Sequence, residues 1–533
     1  MKDALTAIWT RRTPQSAKAD ARQVPNSAGG FTFTPGRTAR LHRFLTLGTD
    51  GGTYYVSERD ITAQNAEIVL GWAREAAAEL VREAAAISQA GRAPRNNPAL
   101  FALAAAASLG DEAGRRAALD ALPLVARTGT HLFLFARYVQ QFRGWGRGLR
   151  RAVGDWYLAK EPGELAYQVL KYRQREGWSH RDLLRLSHPA GSGAHRALFD
   201  FICGREADLA ELPLVEAFVQ AQAATQPGQW VNLIRGNPAL SWEMLPDAAL
   251  SSPRVWMALL DNGLPQTALM RQLPRLTRLG VLGPASAATA AVAAQLADPE
   301  RLVKARVHPV SVLVALRTYA SGHGARGRET WQPVSQITDA LDAAFYAAFG
   351  AVEPAGKRTM LALDVSGSMM QAVSGLPLSC REASAALALV TASTEPAAFV
   401  AGFTSTRSRG AAGISPLDIS PRQRLDDAIG KVSNLPFGGT DCALPMVWAL
   451  RQKMEIDHFC VYTDNETWAG TIHPHQALAE YRRKTGIAAR LSVVGMTATD
   501  FTIADPEDRG SLDVAGFDSA VPSLLSGFAR GDI

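Results

Sequence analysis

Three separated stretches of this sequence carry oxygen-bearing side chains that could act together. Asp364-Val365-Ser366-Gly367-Ser368 places a carboxylate and two hydroxyls at i, i+2 and i+4, directly after the apolar run 360–363. Gly438-Gly439-Thr440-Asp441 offers the Thr440 hydroxyl in a Gly-rich loop, and the apolar run 459–463 leads into Asp464. Hard oxygen donors suit Mg²⁺, with Mn²⁺ or Ca²⁺ as alternatives. Asp and Ser are also ordinary turn formers, so the first stretch alone is a weak signal. Ligands at the carboxyl ends of parallel strands, however, meet in one crevice of an open α/β sheet. Two carboxylates leave a divalent ion under-neutralised and able to accept an anionic oxygen from a partner. A metal nuclease would need two ions ~3.5–4 Å apart, or an activated water with a base. Glu466 is the only obvious extra carboxylate, so the expectation is ligation without catalysis.

The elements that must position these groups follow from periodicity. After Pro354-Ala355-Gly356, short apolar runs at 359–363, 397–403, 459–463 and 489–494 alternate with helical patterns at 381–392 and 445–452. That alternation predicts a parallel sheet with helices on both faces. Before the boundary, 62–350 reads as helices, among them 65–84, 98–109, 115–126, 130–141 and 165–175, punctuated by glycine and proline. Helices of this length with short breaks predict stacked pairs of the HEAT or armadillo kind. The expected division is therefore 1–356, all-α, and 357–533, α/β.

Of the 533 residues, 47% are hydrophobic and 20% charged, the composition of an ordinary globular protein. No stretch approaches the ~20 apolar residues of a membrane span, and no apolar segment follows the charged N-terminus as in a signal peptide. The four cysteines, Cys203, Cys380, Cys442 and Cys460, lack metal-ligand spacing. A cytoplasmic, monomeric protein is the expectation. From Lys357 onward there are 16 Lys+Arg against 19 Asp+Glu, a net of −3, which leaves +9 in 1–356. A basic portion set apart from the oxygen-ligand portion suits a polyanion such as nucleic acid, although it also suits solubility alone.

The sharpest basic signal is 171–189. Ser179 and Asp182 form a capping box ahead of a helix in which Arg181, Arg185 and His188 fall on one face, with Leu183, Leu184 and Leu186 inward. Lys171 and Arg175 are spaced i, i+4 in the preceding helix; Arg173 and His180 lie in the same basic segment. The nearby acids are Glu176 and Asp182, and capping occupies Asp182. Unpaired arginines on a helix face suit phosphate oxygens, although long side chains can also simply cover a core. A second run, Arg143, Trp145, Arg147 and Arg150, mixes guanidinium groups with an aromatic ring in a Gly-rich loop. Such planes can stack on single-stranded bases.

The Asp-x-Ser-x-Ser turn resembles the metal-ion-dependent adhesion site of a von Willebrand factor A domain. Nearly the whole chain resembles the Ro ribonucleoprotein family of TROVE-domain proteins. The stretches that carry this are Asn26-Ser27-Ala28-Gly29-Gly30, Gly51-Gly52-Thr53-Tyr54-Tyr55, Trp145-Gly146-Arg147, Lys171 to His188, Arg306-Val307-His308-Pro309, Gly322-His323-Gly324, Leu341-Asp342-Ala343-Ala344-Phe345 and Phe501-Thr502-Ile503-Ala504-Asp505. The match is weak before residue 24 and across 190–300. The resemblance implies a closed ring of HEAT-like helices followed by a von Willebrand factor A domain. It implies one cation held by Asp364, Ser366, Ser368, Thr440 and Asp464. It implies RNA contacts at Lys171, Arg175, Arg181, Arg185 and His188, small noncoding Y RNAs and single-stranded 3′ ends of misfolded RNAs as ligands, and a 3′→5′ exoribonuclease as a partner. A metal-dependent protein-adhesion adaptor is the alternative from another class.

Overall fold

The computed structural model describes residues 12–48, 66–93, 95–324, 329–350, 352–373, 378–405, 413–420, 423–433, 435, 438–497, 499, 501–516 and 520–532. The Gly51–Tyr55 motif lies outside them. The chain forms two compact units, and the linear boundary at 356 does not separate them. One unit joins Met1–Ile68 and Arg92–Pro94 to Phe349–Ile533; the other comprises Val69–Gly91 and Arg95–Ala348. The N-terminal segment therefore groups in space with the α/β region, where several of its polar residues find partners. Arg43 is almost fully buried, and its guanidinium donates to Asp513 at 2.8 and 2.9 Å.

The helical unit has the expected helices near 98–109 and 130–141, whereas the expected 65–84 divides at Ala76 into Glu67–Glu75 and Ala77–Ala90, and the expected 115–126 divides into Glu112–Asp120 and Leu122–Val125. Its most apolar helix, Asn97–Leu109, carries Pro98 in its first turn, where no intrahelical N–H is lost, and is buried from Pro98 to Ala107. Helix Gly129–Gln140 packs on it, with Phe101 and Tyr138 edge to face at 5.3 Å. Polar caps satisfy free backbone donors: the Asp111 side chain accepts from Gly114 N at 2.8 Å, and Thr128 from His131 N at 3.3 Å. The buried Trp156 indole donates to the Ala126 carbonyl at 2.6 Å. Distant segments of this unit also meet: a Cβ at Gly91, after the helix Ala77–Ala90, would lie 3.4 Å from the Cβ of Arg306.

One expected helix is too long. Helix Pro162–Lys171 stops at Lys171, and strands β3 (Gln174–Arg175) and β4 (Trp178–Ser179) form a tight hairpin. The cause is Glu176-Gly177, with φ of 57° and 78°. Two successive left-handed residues make the turn that matches strand twist. Arg175 therefore does not share a helix face with Lys171.

In the other unit, strands β5 (Thr359–Asp364), β6 (Ala398–Phe403), β7 (Ile414–Pro416), β8 (His458–Thr463), β9 (Arg490–Gly495) and β10 (Ser511–Ala515) form one sheet in the order β10-β9-β8-β5-β6-β7. All neighbours are parallel except the edge pair β6–β7. The four apolar runs are β5, β6, β8 and β9; β5 and β8 are buried at every residue, as a two-sided parallel sheet requires. From β5 the chain moves outward on one side to β6 and later returns on the other to β8. The topological switch point lies between β5 and β8. A small N-terminal hairpin, β1 (Val24–Pro25) with β2 (Phe31–Thr32), belongs to this unit.

Candidate metal centre and nucleic-acid interface

Asp364 ends β5 and Asp464 follows β8, so the switch point brings the two carboxylates together. Both are buried. Asp364 Oδ1 accepts from the Ser366 N–H at 2.8 Å, a short local bond that folds the Asp-x-Ser turn. Its Oδ2 accepts from the Thr463 hydroxyl at 2.7 Å. The Ser366 and Ser368 hydroxyls are 3.1 Å apart. Asp464 Oδ1 accepts from Glu466 N at 3.1 Å. Burial, followed by the nearby Asp464 charge, pushes the Asp364 carboxyl up to about 7. Burial also raises Asp464.

Thr440 is buried in the loop before helix Leu444–Arg451. Its carbonyl accepts from Trp468 N at 3.1 Å and Ala469 N at 3.0 Å, so this loop is sewn to the one that follows Asp464. Among the described residues no group of three His, Cys, Asp or Glu side chains could hold a metal ion; the set here has two carboxylates and three hydroxyls. Two observations fit a hard cation. Asp464 Oδ2 is buried with no hydrogen-bond partner, and two carboxylates share one low-dielectric pocket in which a positive charge would favour their ionised forms.

The sequence did not point to two residues of this site. Arg381, in helix Cys380–Thr394, is 1% exposed and donates to the carbonyls of Val365 and Ser366, bracing the turn from behind. Thr463, the last residue of β8, fixes the Asp364 carboxylate. Threonine is common in strands, and an arginine inside an apolar helix carries no positional signal, so neither stands out in one sequence.

The elements that carry the two basic segments meet in the helical unit. Trp145 of the Gly-rich loop packs against Trp178 of β4, with ring centroids 5.5 Å apart. The helices that follow, Arg147–Leu158 and His180–Ser187, pack together. Arg143, Arg147, Arg150, Arg173, Arg175, Arg181, Arg185 and His188 are all exposed. The nearby acids are engaged. The Ser179–Asp182 capping box is formed, with Asp182 accepting from Ser179 N at 2.9 Å, and Glu176 pairs with Arg137. Among the described residues no carboxylate pairs with Arg175, Arg181 or Arg185.

Two expected RNA-contact residues are placed otherwise. His180 is 1% exposed; its Nδ1 lies 2.8 Å from the Tyr157 hydroxyl and its ring packs on Phe133. As the first helical residue after the cap, it turns into the core. It supports the basic segment from beneath and is not exposed with it. The Lys171 side chain is only 11% exposed, 3.3 Å from Glu243 and 2.9 Å from the Tyr167 hydroxyl. That ion pair spans more than seventy residues and is invisible to local reading. Arg173 lies over the Phe218 ring at 5.4 Å.

The TROVE domain family matches residues 24–208 and 215–318, and the Ro60 vWA domain family matches residues 358–529. The chain belongs to the Ro60 family. It is 43% identical to the RNA-binding protein RO60 of Deinococcus radiodurans over 541 residues, covering 100% of both chains. It is 36% identical to the RNA-binding protein RO60 of Caenorhabditis elegans, covering 98% of this chain and 92% of the worm protein. The crystal structure of the Deinococcus radiodurans RO (RSR) protein superposes with a TM-score of 0.72 at 42% identity, covering 93% of this chain and 100% of that one. The fold class is thus that of the Ro family: a helical TROVE region followed by a von Willebrand factor A domain with a mixed sheet.

Proposed function

We propose that this protein is a non-catalytic RNA-binding scaffold. Its ligands are small noncoding Y RNAs and single-stranded 3′ ends of misfolded RNAs, and it hands RNA to a 3′→5′ exoribonuclease in quality control. The observation that carries the reading is the exposed set Arg175, Arg181, Arg185 and His188, whose neighbouring acids are consumed by a cap and by Arg137. Guanidinium groups left without carboxylates are available to phosphate oxygens. The RO60 relatives, named as RNA-binding proteins, support the same reading. Charge reversal at Arg181 and Arg185 tests it. A filter-binding titration with a structured small RNA should show affinity falling by more than ~tenfold, since several phosphate contacts are lost together. Equal affinity of the variant and the parent would overturn the assignment.

Asp364, Ser366, Ser368, Thr440 and Asp464 would hold a divalent cation, most simply Mg²⁺. Bound there, the ion would supply an open coordination position for an anionic oxygen. Exposed apolar side chains near this site favour a second, compatible reading, capture of an acidic protein segment. Met370 is 56% exposed just past Ser368, and Trp468 is 40% exposed against the Gly439 backbone. Asp364→Ala should then abolish capture of a partner while sparing RNA binding.

A further inference from the structure

The motif Asn26-Ser27-Ala28-Gly29-Gly30 and the residues before it have no part in RNA binding as described above. Their side chains lie instead against the two loops that bear Thr440 and Asp464. Gln15 is 0% exposed. Its Nε2 donates to Asp441 Oδ1 at 2.8 Å and to the Ile472 carbonyl at 2.9 Å. Its Oε1 accepts from the Thr467 hydroxyl at 2.6 Å and from Gly470 N at 3.1 Å. One amide thus joins the residue after Thr440 to the segment three to eight residues beyond Asp464. The Thr467 hydroxyl also accepts from Cys442 N at 3.0 Å, closing the link between the loops.

The Asn26–Gly30 turn grips the same segment. Asn26 Nδ2 donates to the Thr467 carbonyl at 2.7 Å, and Asn26 Oδ1 accepts from Gly30 N at 2.7 Å. Ala28 N donates to Glu466 Oε2 at 2.9 Å, while Glu466 N donates to Asp464 Oδ1 at 3.1 Å. The approach is close enough to demand glycine: a Cβ at Gly30 would fall 1.9 Å from the Thr467 carbonyl oxygen. Glu466, the spare carboxylate near the site, is thereby tied to the N-terminal turn.

We propose that residues 15–30 form a clip that positions the Thr440 and Asp464 loops and so sets the affinity of the site for a divalent cation. Gln15 and Asn26 are its positioning residues. The inference rests on the reading that the site holds such a cation. Buried hydrogen bonds behind ligand-bearing loops hold the donors in register, so that little order remains to be imposed when the ion enters.

The test titrates full-length protein with Mn²⁺, followed by calorimetry and by the spin resonance of free Mn²⁺. Gln15→Ala and Asn26→Ala should each weaken Mn²⁺ binding by about 10–100-fold, the usual effect of removing an outer partner. Their circular dichroism and RNA affinity should stay at parental values. Leu198→Ala, a core change in the helical unit, should lower the melting temperature without changing Mn²⁺ affinity. If the parent takes up no Mn²⁺, the cation reading itself falls. If the parent binds Mn²⁺ and both clip variants bind it equally well, whether or not they melt earlier, the clip is only a fastening of the N-terminus and the proposal is overturned.

Discussion

Trp145 and Trp178 meet ring to ring, 5.5 Å between centroids and 55° between planes. One lies in a Gly-rich loop, the other in a two-residue-turn hairpin. Neither element has enough core of its own to fix its position. The contact joins the elements that carry two arginine groups about thirty residues apart in sequence, Arg143–Arg150 and Arg175–His188.

Trp178→Ala should therefore separate geometry from charge. The lost aromatic pair is worth about 0.5–1.5 kcal/mol beyond its buried area, so the helical unit should remain folded with a modest fall in melting temperature. RNA affinity should drop several-fold because the arginines are no longer held in one arrangement. The slope of log affinity against log salt should stay at the parental value, because no cation has been removed. A filter-binding salt series reads both quantities.

Charge removal should show the opposite signature. Arg181 and Arg185 are exposed and unpaired with any described carboxylate, so each can release counterions from RNA. The double variant Arg181→Gln and Arg185→Gln should flatten the salt slope by roughly 1–2, while the melting temperature stays put. A slope equal to the parent's would mean that these side chains do not meet phosphate.

Acid should destabilise the helical unit through His180. Burial depresses its imidazole from 6.5 to about 3. The unfolded chain takes up a proton on this residue below about pH 6.5, whereas the folded chain takes it up only near pH 3. Stability is thus fully present above 6.5 and is lost as pH falls across that window, by on the order of 1 kcal/mol per pH unit. The double variant His180→Phe with Tyr157→Phe removes both partners of the buried hydrogen bond and leaves neither orphaned. Urea unfolding between pH 6.5 and 4 should show a pH slope smaller by one proton in the variant. An unchanged slope would mean that His180 is not the group responsible.

What could be read from the sequence is what is encoded locally. The runs 359–363 and 459–463 are buried strands because every residue is apolar or small, and the Asp-x-Ser-x-Ser turn lies in five consecutive residues. The capping box at Ser179 and Asp182 is equally local, and it forms. What escaped reading depends on contacts across the chain. Gln15 meets Asp441 from 426 residues away, and Arg43 meets Asp513 from 470. Those pairings place the N-terminus with the sheet and against any linear division. His180 has the composition of a surface ligand but the helical phase of a core residue. The overextended helix failed at Glu176-Gly177, where two left-handed residues outweigh helical spacing on either side.

The two carboxylates of the candidate metal site make a prediction about stability that differs in sign with and without cation. Asp364 and Asp464 are both buried, and Asp464 Oδ2 has no hydrogen-bond partner. With no ion between them, like charges in a low-dielectric pocket oppose folding. Asp464→Asn removes one charge and supplies an N–H donor, while its Oδ1 can still accept from Glu466 N. In chelator the variant should melt at or above the parental temperature. On adding Mn²⁺ the parent should gain about 2.7 kcal/mol at a hundredfold excess over its dissociation constant, and the variant should gain almost nothing. Thermal melts in chelator and in Mn²⁺ read this crossover. A variant that is less stable than the parent in chelator would show that Asp464 serves the fold itself, through contacts worth more than the repulsion it brings.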